Sequence, residues 1–331
     1  MVRLIPETAR HERTLMAWPT ATRRAALWHE ELETARDDTA QIATLIGAHE
    51  PVTLVAKPED AADASNRCGA GVEVVALDID DSWMRDSGPI VVADGGRAVA
   101  LQFRFNAWGK KFTPYDTDAT IASRVAEHLG LPVREVPFVL EGGAIAFDGA
   151  GTIVTTERCL LHPNRNGPIT KAEVEAVFER ELGATRVIWL PDAIVEDDGT
   201  DGHVDAVVAF ASPSLAVLQG CDDEDNANAA VARENRARLE AAAIDVLELT
   251  ALPYAEVGGR GVPVPYVNYY VANGLVAVPV VGHPADDAML ETLEGCYPGR
   301  QVVGVPGARL AYGGGGVHCI TQPVPVVGGR S

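Results

Sequence analysis

Basic residues are scarce in this chain: 27 Lys and Arg stand against 47 Asp and Glu, a formal net charge of −20. The excess is spread along the sequence and not gathered in a tail. Nucleic acid is therefore not an expected partner, because phosphate recognition needs a basic face. A small cationic substrate suits the balance, since an acidic field steers cations inward. Long apolar runs are also missing. None reaches membrane-spanning length, and Met1–Val2–Arg3–Leu4–Ile5–Pro6 has no apolar core of signal-peptide size, so no membrane partner is expected. Cysteine is sparse and unpatterned. Cys68, Cys159, Cys221, Cys296 and Cys319 are odd in number, widely spaced and without a C-x-x-C pair. That excludes a disulfide framework and a zinc motif, so no metal is expected, and a reducing cytoplasm is the simplest home. With 47% apolar and 22% charged residues the chain is globular. Its 331 residues exceed what one simple core usually needs, which leaves two domains or one repeat-built domain.

What the chain does have is glycine in an unusual place. Gly313–Gly314–Gly315–Gly316 runs into Val317–His318–Cys319–Ile320–Thr321–Gln322 near the C-terminus. Such a run costs conformational entropy unless backbone must bend or come close to a ligand. The following residues read as a short strand. Cys319 reads as a presented nucleophile, with a buried structural cysteine as the plain alternative. Neighbouring strand residues point to opposite faces, so His318 is not expected to be the catalytic base.

Earlier segments repeat one order. Trp28, Leu32, Ala35, Thr39, Ile42 and Ile46 mark a helix with one buried face. Strands follow at Pro51–Val55 and Val72–Leu77, then the polar loop Asp78–Pro89 and a strand at Ile90–Val92. Helix, strand, polar or Gly-rich loop and strand recur about five times at a period of roughly 50–65 residues. One of these helices opens with Thr170 and Glu173 at capping-box spacing. Asp86, Glu141, His203 with Asp205, and Cys319 all fall at the same point of their units, just after the first strand. A ring of such units would bring those points to its axis. The expected fold is a closed α/β propeller of about five units with a central site. No linker divides the chain, so one catalytic domain over residues 1–331 is expected.

A Cys with a His is the minimum for nucleophilic catalysis with proton transfer. Several carboxylates in one pocket repel one another unless the ligand is a cation, and a guanidinium pairs with carboxylates through two parallel hydrogen bonds. Held so, its central carbon would face a thiolate. At this point the chain resembles the agmatine deiminase branch of the guanidino-group-modifying enzymes. The matching text includes Pro6–Glu7, His11–Pro19, Asp81–Pro89, Phe105–Gly109, Leu140–Gly143, Asn164–Asn166, Asp201–Asp205, Tyr266–Tyr270, and Gly314, Cys319 and Gln322.

The resemblance implies the five-bladed α/β propeller, the pentein fold. It implies hydrolysis of agmatine to N-carbamoylputrescine and ammonia, a step toward polyamines, with no cofactor. Cys319 would attack the guanidinium carbon and His203 would move protons. Asp86 and Asp205 would clamp the guanidinium nitrogens. Glu141 would hold a guanidinium nitrogen or orient His203. Trp83 and Trp108 would pack on the substrate chain or on the core. Arg85 would pair with Asp86 or with substrate, and Gly314 would lie at the substrate. Association into a homodimer or higher homo-oligomer fits the family. Gly316 stands where an Asn is usual, Thr8 and Leu15 replace two tryptophans, Pro323 replaces a Gln, and the connection from Leu249 to Tyr266 is short. These departures touch the distal end of the substrate pocket. They leave open deimination of arginine or another guanidino compound, amidino transfer, or a non-catalytic guanidine-binding propeller.

Overall fold

The computed structural model of the protein describes residues 2–23 and 27–328. Five sheets carry the fold, and each is built the same way: an antiparallel hairpin whose second strand is joined in parallel by a further strand. A parallel partner needs a crossover, and here the chain supplies a helix in every case. The first blade is Ile90–Asp94, Arg97–Arg104 and Val133–Val139, crossed by the helix Ile121–His128. The second is Ala146–Phe147, Thr152–Thr156 and Arg186–Leu190, crossed by Lys171–Leu182. The third is Val208–Ser212, Leu215–Gln219 and Asp245–Leu249, crossed by Ala227–Ala241. The fourth is Tyr270–Ala272, Leu275–Val280 and Gln301–Pro306, crossed by Asp286–Cys296.

The fifth blade closes the ring. Thr321–Pro325 pairs antiparallel with His11–Ala17 from the other end of the chain, which then pairs in parallel with Val52–Ala56. Val72–Ala76 extends this sheet by one more parallel strand, and Arg3–Leu4 adds to the edge of the first blade. The five-bladed α/β propeller expected from the repeat is thus the observed architecture. Val324 and Pro325 belong to the closing strand; residues 329–331 and Met1 lie outside the described residues.

Local chemistry explains the elements. The helix Leu32–Gly47 buries Leu32, Ala35, Thr39, Ile42 and Ile46 on one face, with Trp28 just before it. It packs between the closing sheet and Leu275 and Ala277 of the fourth blade. Each fully buried aliphatic side chain contributes roughly 1.5–3 kcal/mol. Lys171–Leu182 opens with the reciprocal Thr170–Glu173 capping box and ends at Gly183 in the left-handed region.

One expectation needs correction. Val317–Ile320 is a turn and not a strand; pairing begins at Thr321, because the turn is needed to aim Cys319. The apolar stretch Pro265–Val271 pairs only from Tyr270, since Pro265 and the following turn cannot continue a ladder. The connection after Leu249 folds into its own hairpin, Tyr254–Val257 with Arg260–Pro263. Among the described residues no helix is long and apolar enough to cross a membrane.

Candidate active site

Five inter-blade loops meet at the axis, and each delivers a polar side chain. Asp86 sits on the short helix Met84–Ser87. Glu141 precedes the turn Gly142–Ala144, and His203 and Asp205 flank Val204. Asn268 comes from the third-to-fourth connection, and Cys319 from the glycine loop. The loops are tied to each other by backbone: Arg85 N donates to Cys319 O at 3.1 Å, and His318 N donates to Asn268 O at 3.1 Å.

The glycines make this convergence possible by leaving room. A Cβ at Gly143 would come within 2.5 Å of His203 Nδ1 and 2.9 Å of Asp86 Oδ1. One at Gly315 would meet the Trp83 ring at 2.4 Å, and one at Gly316 would meet Asn268 Oδ1 at 2.3 Å. Gly316 therefore fits because Asn268 already fills the space an Asn side chain there would take. Gly314 has φ +103° and lines the cavity, so its role is conformational.

The Cys319 thiol lies 3.6 Å from Asp205 Oδ2 and 3.5 Å from Asn268 Oδ1. His203 Nδ1 is 3.7 Å from Asp86 Oδ1, and its Nε2 is 3.9 Å from Glu141 Oε2. A cavity of about 370 Å³ opens onto Cys319, His203, Asp205, Asn268 and Gly314. Its far wall carries Glu196, Asp197 and Asp198, and Arg260 from the extra hairpin.

The sequence-predicted residues therefore come together, with some changes of role. Trp108 Nε1 donates to Asp86 Oδ2 at 2.9 Å, and Phe105 and Phe112 meet the Trp108 ring edge-on. Trp83 stacks on Trp28 with centroids 5.5 Å apart. Both indoles are buried beside the centre, away from the cavity lining. Arg85 pairs neither with Asp86 nor with the cavity. Its Nη1 donates to Glu7 Oε1 at 2.6 Å, because the short helix turns the side chain toward the N-terminal segment. Glu141 Oε1 accepts from Arg165 Nε at 2.7 Å, a fully buried pair that Asp201 extends.

Sequence reasoning missed Glu7, Asn268 and Arg165, and set aside His318 and Cys159. His318 Nδ1 lies 2.8 Å from Asp205 Oδ2, and its Nε2 lies 3.0 Å from Glu7 Oε2. The strand-alternation argument failed for His318 because the residue stands in a turn. Cys159 is buried against His203 and Glu141. Arg165 and Asn268 stand inside stretches that carried the family resemblance, which was a usable signal. Glu7 stands beside Pro6 in the same matching text, although its partner His318 lies 311 positions away in sequence.

Electrostatics separates the groups. Burial lifts the Asp86 carboxyl to about 6; Asp205 and Glu141 add to this, and His203 and the Gly143 N–H pull against it. Burial would raise Asp205 too, but the hydrogen bond and charge of His318, then His203 and Arg85, hold it below the usual carboxylate range. Burial works against the His203 cation, yet Asp86, Cys159 and Glu141 raise it to about 10. Burial, with Asp205 and Asp86, pushes the Cys319 thiol well up. A buried cation placed between those carboxylates reverses that push.

The profile of the Porphyromonas-type peptidyl-arginine deiminase family matches residues 3–325. The chain belongs to this family. A Streptomyces coelicolor protein named "Putative agmatine deiminase" is 39% identical, covering 98% of this chain and 98% of its own. Among solved structures, the agmatine deiminase of Enterococcus faecalis superposes with a TM-score of 0.92 at 27% identity, covering 98% of this chain and 96% of that one. A cysteine-to-serine variant of C. jejuni agmatine deiminase with substrate bound gives a TM-score of 0.92 at 26% identity, covering 99% and 97%. An arginine dihydrolase domain from cyanobacteria, at 15% identity and a TM-score of 0.57, shares the fold alone. Family membership, five-bladed propeller and central thiol agree.

Proposed function

We propose that this protein hydrolyses agmatine to N-carbamoylputrescine and ammonia through a covalent intermediate on Cys319, with the whole chain, residues 1–331, acting as one catalytic unit. The observation that carries this reading is the thiol itself, at the floor of the axial cavity and 3.6 Å from Asp205, with Asp86, His203 and Glu141 around it. Asp86 and Asp205 grip the guanidinium nitrogens. Their charge, once met by the cation, no longer opposes the thiolate, and the thiol proton passes by way of Asp205 to solvent, where it is balanced by the ammonia released below. The sulfur attacks the central carbon. Imidazolium His203 protonates one nitrogen, the C–N bond breaks, and ammonia leaves a thiouronium. Neutral His203 then takes a proton from water, the oxygen adds to carbon, and the C–S bond breaks. The hydroxyl proton restores the thiol as the ureido product forms. Glu141, fixed by Arg165, orients His203 and accepts from the imidazolium.

Agmatine is favoured over arginine by the cavity wall. Glu196, Asp197 and Asp198 suit a free amine, whereas arginine would bring a carboxylate toward them. Arg260 on the same rim supports arginine as the second reading. A panel of agmatine, arginine and shorter and longer guanidinoalkylamines, scored for ureido product and ammonia, tests this: agmatine is expected to lead, and arginine leading would reverse the assignment. Product appearing only with an added acceptor amine would indicate amidino transfer. The five free cysteines support a cytoplasmic home, and a homo-oligomer is the expected assembly.

A further inference from the structure

Beside the nucleophile's loop three buried donors of different chemistry sit together. Glu141, Cys159 and His203 each offer one ligand atom, and the three atoms lie within 4.8 Å of one another. Glu141 is fully buried and His203 is 2% exposed. Glu141 Oε2 and His203 Nε2, 3.9 Å apart, have no hydrogen-bond partner although both are enclosed. Unpartnered buried polar atoms are costly and call for an explanation. The reaction above places His203 and Glu141 3.9 Å apart, and the Cys159 thiol helps hold His203 charged, yet the chemistry forms no bond to that sulfur.

We infer that Glu141 Oε2, Cys159 Sγ and His203 Nε2 form a site for a borderline-soft divalent cation of the zinc class, whose occupancy blocks the deiminase reaction by taking His203. The donor set is one carboxylate oxygen, one thiolate and one imidazole nitrogen, a mixture that zinc accepts. Zinc bonds of about 2.0–2.3 Å require the donors to draw closer than they now stand, a change within the reach of side-chain rotation. The frame is already fixed. Arg165 holds the other oxygen of Glu141 at 2.7 Å, and Thr156 caps the Cys159 turn while its hydroxyl donates to Gly202 O at 2.6 Å. That bond ties the thiol's helix to the His203 loop. His203 lines the 370 Å³ cavity, which gives the ion a path from solvent. Asp86 and Asp205 supply negative charge nearby, and water takes the fourth position. Coordination displaces one proton from Cys159 and one from His203 for each ion bound.

The test uses cobalt(II) as a spectroscopic stand-in, titrated into the Cys319→Ser protein so that the nucleophile contributes no sulfur. One equivalent is expected to give a sulfur-to-cobalt charge-transfer band, and adding Cys159→Ser is expected to remove it. In protein with Cys319 intact, zinc is expected to stop ammonia release. For half-inhibition of the turnover it retains, Cys159→Ser should need more than about 100-fold more zinc than the parent, beyond the loss caused by removing a mere outer partner. Should Cys159→Ser fail to fold, Cys159→Ala in the Cys319→Ser background, checked by its unfolding transition, gives the same reading. A band that survives loss of Cys159, no band in Cys319→Ser alone, or equal zinc sensitivity of parent and Cys159→Ser overturns the site. The cobalt reading does not depend on the substrate, so it stands apart from any failure of the agmatine assignment.

Discussion

Asp86 and Asp205 reach the same centre from different loops and titrate in opposite directions. Asp86 is backed by neutral donors, Trp108 Nε1 at 2.9 Å and the Gly143 N–H at 3.0 Å, and burial lifts it to about 6. Asp205 is backed by charge: His318 at 2.8 Å, then Glu7, then Arg85 at 2.6 Å. The difference shows that ionisation here is decided by what stands behind a carboxylate and not by the carboxylate. A guanidinium entering the site meets one anion already fixed and one whose charge its own arrival completes.

The largest effect comes from the atom both sides serve. Cys319→Ser is expected to lower kcat by about 10⁴-fold or more while agmatine still binds, read by ammonia release and calorimetry. Retained turnover would dissolve the comparison, because the two carboxylates would no longer share a reaction. Asp86→Asn comes next. Removing one partner of a buried charge pair should lower kcat/KM by about 10²–10³-fold.

Striking the charged backing is milder. Glu7→Gln or His318→Gln removes a hydrogen bond to a charged group and is expected to cost about tenfold in kcat/KM. It should also move the acid limb of the pH profile upward, as Asp205 loses what held it ionised. A change in thermal stability without that shift would make Glu7 and His318 merely structural.

The pH dependence of the unmutated protein sharpens the contrast without mutation. kcat/KM is expected to rise through about 6 as Asp86 ionises and to fall above about 10 as His203 gives up its proton. Stability carries opposite signs on the two sides. Folded Asp86 holds its proton more tightly than the unfolded chain, so its contribution is present on the acid side and is lost as pH rises through about 6. Asp205 is depressed, so its contribution is present above the ordinary carboxylate range and is lost as pH falls below it. Denaturant midpoints of Asp86→Asn and Asp205→Asn against the parent, from about pH 2.5 to pH 8, should diverge accordingly. The smallest effect belongs to the outer surface, on the helix Ala227–Ala241. Arg236→Ala breaks exposed pairs with Glu240 at 2.8 Å and Glu248 at 2.7 Å and should change stability by no more than about 0.5 kcal/mol.

Much of this molecule was readable in its residues. The blade order followed from a repeated local pattern, and the axial site followed from where polar residues recurred in that pattern. The second hairpin strands Arg97–Arg104 and Leu215–Gln219 escaped notice, because their short apolar stretches stand among other apolar segments and only pairing defines them. The glycine run was read as pliancy, yet Gly315 and Gly316 are fixed by neighbours, Trp83 and Asn268, that only the folded state supplies. The Glu7–His318 contact joins residues 311 positions apart, and nothing local marks either as the other's partner. Long-range electrostatics was the part that sequence order concealed.

The strand that seals the ring starts two residues after the sulfur and zips onto His11–Ala17. Chemistry therefore waits for assembly. The thiol is set among acids and imidazole only once those two distant segments have met, so any lesion that unfastens that seam should silence the enzyme before the rest of the ring comes apart.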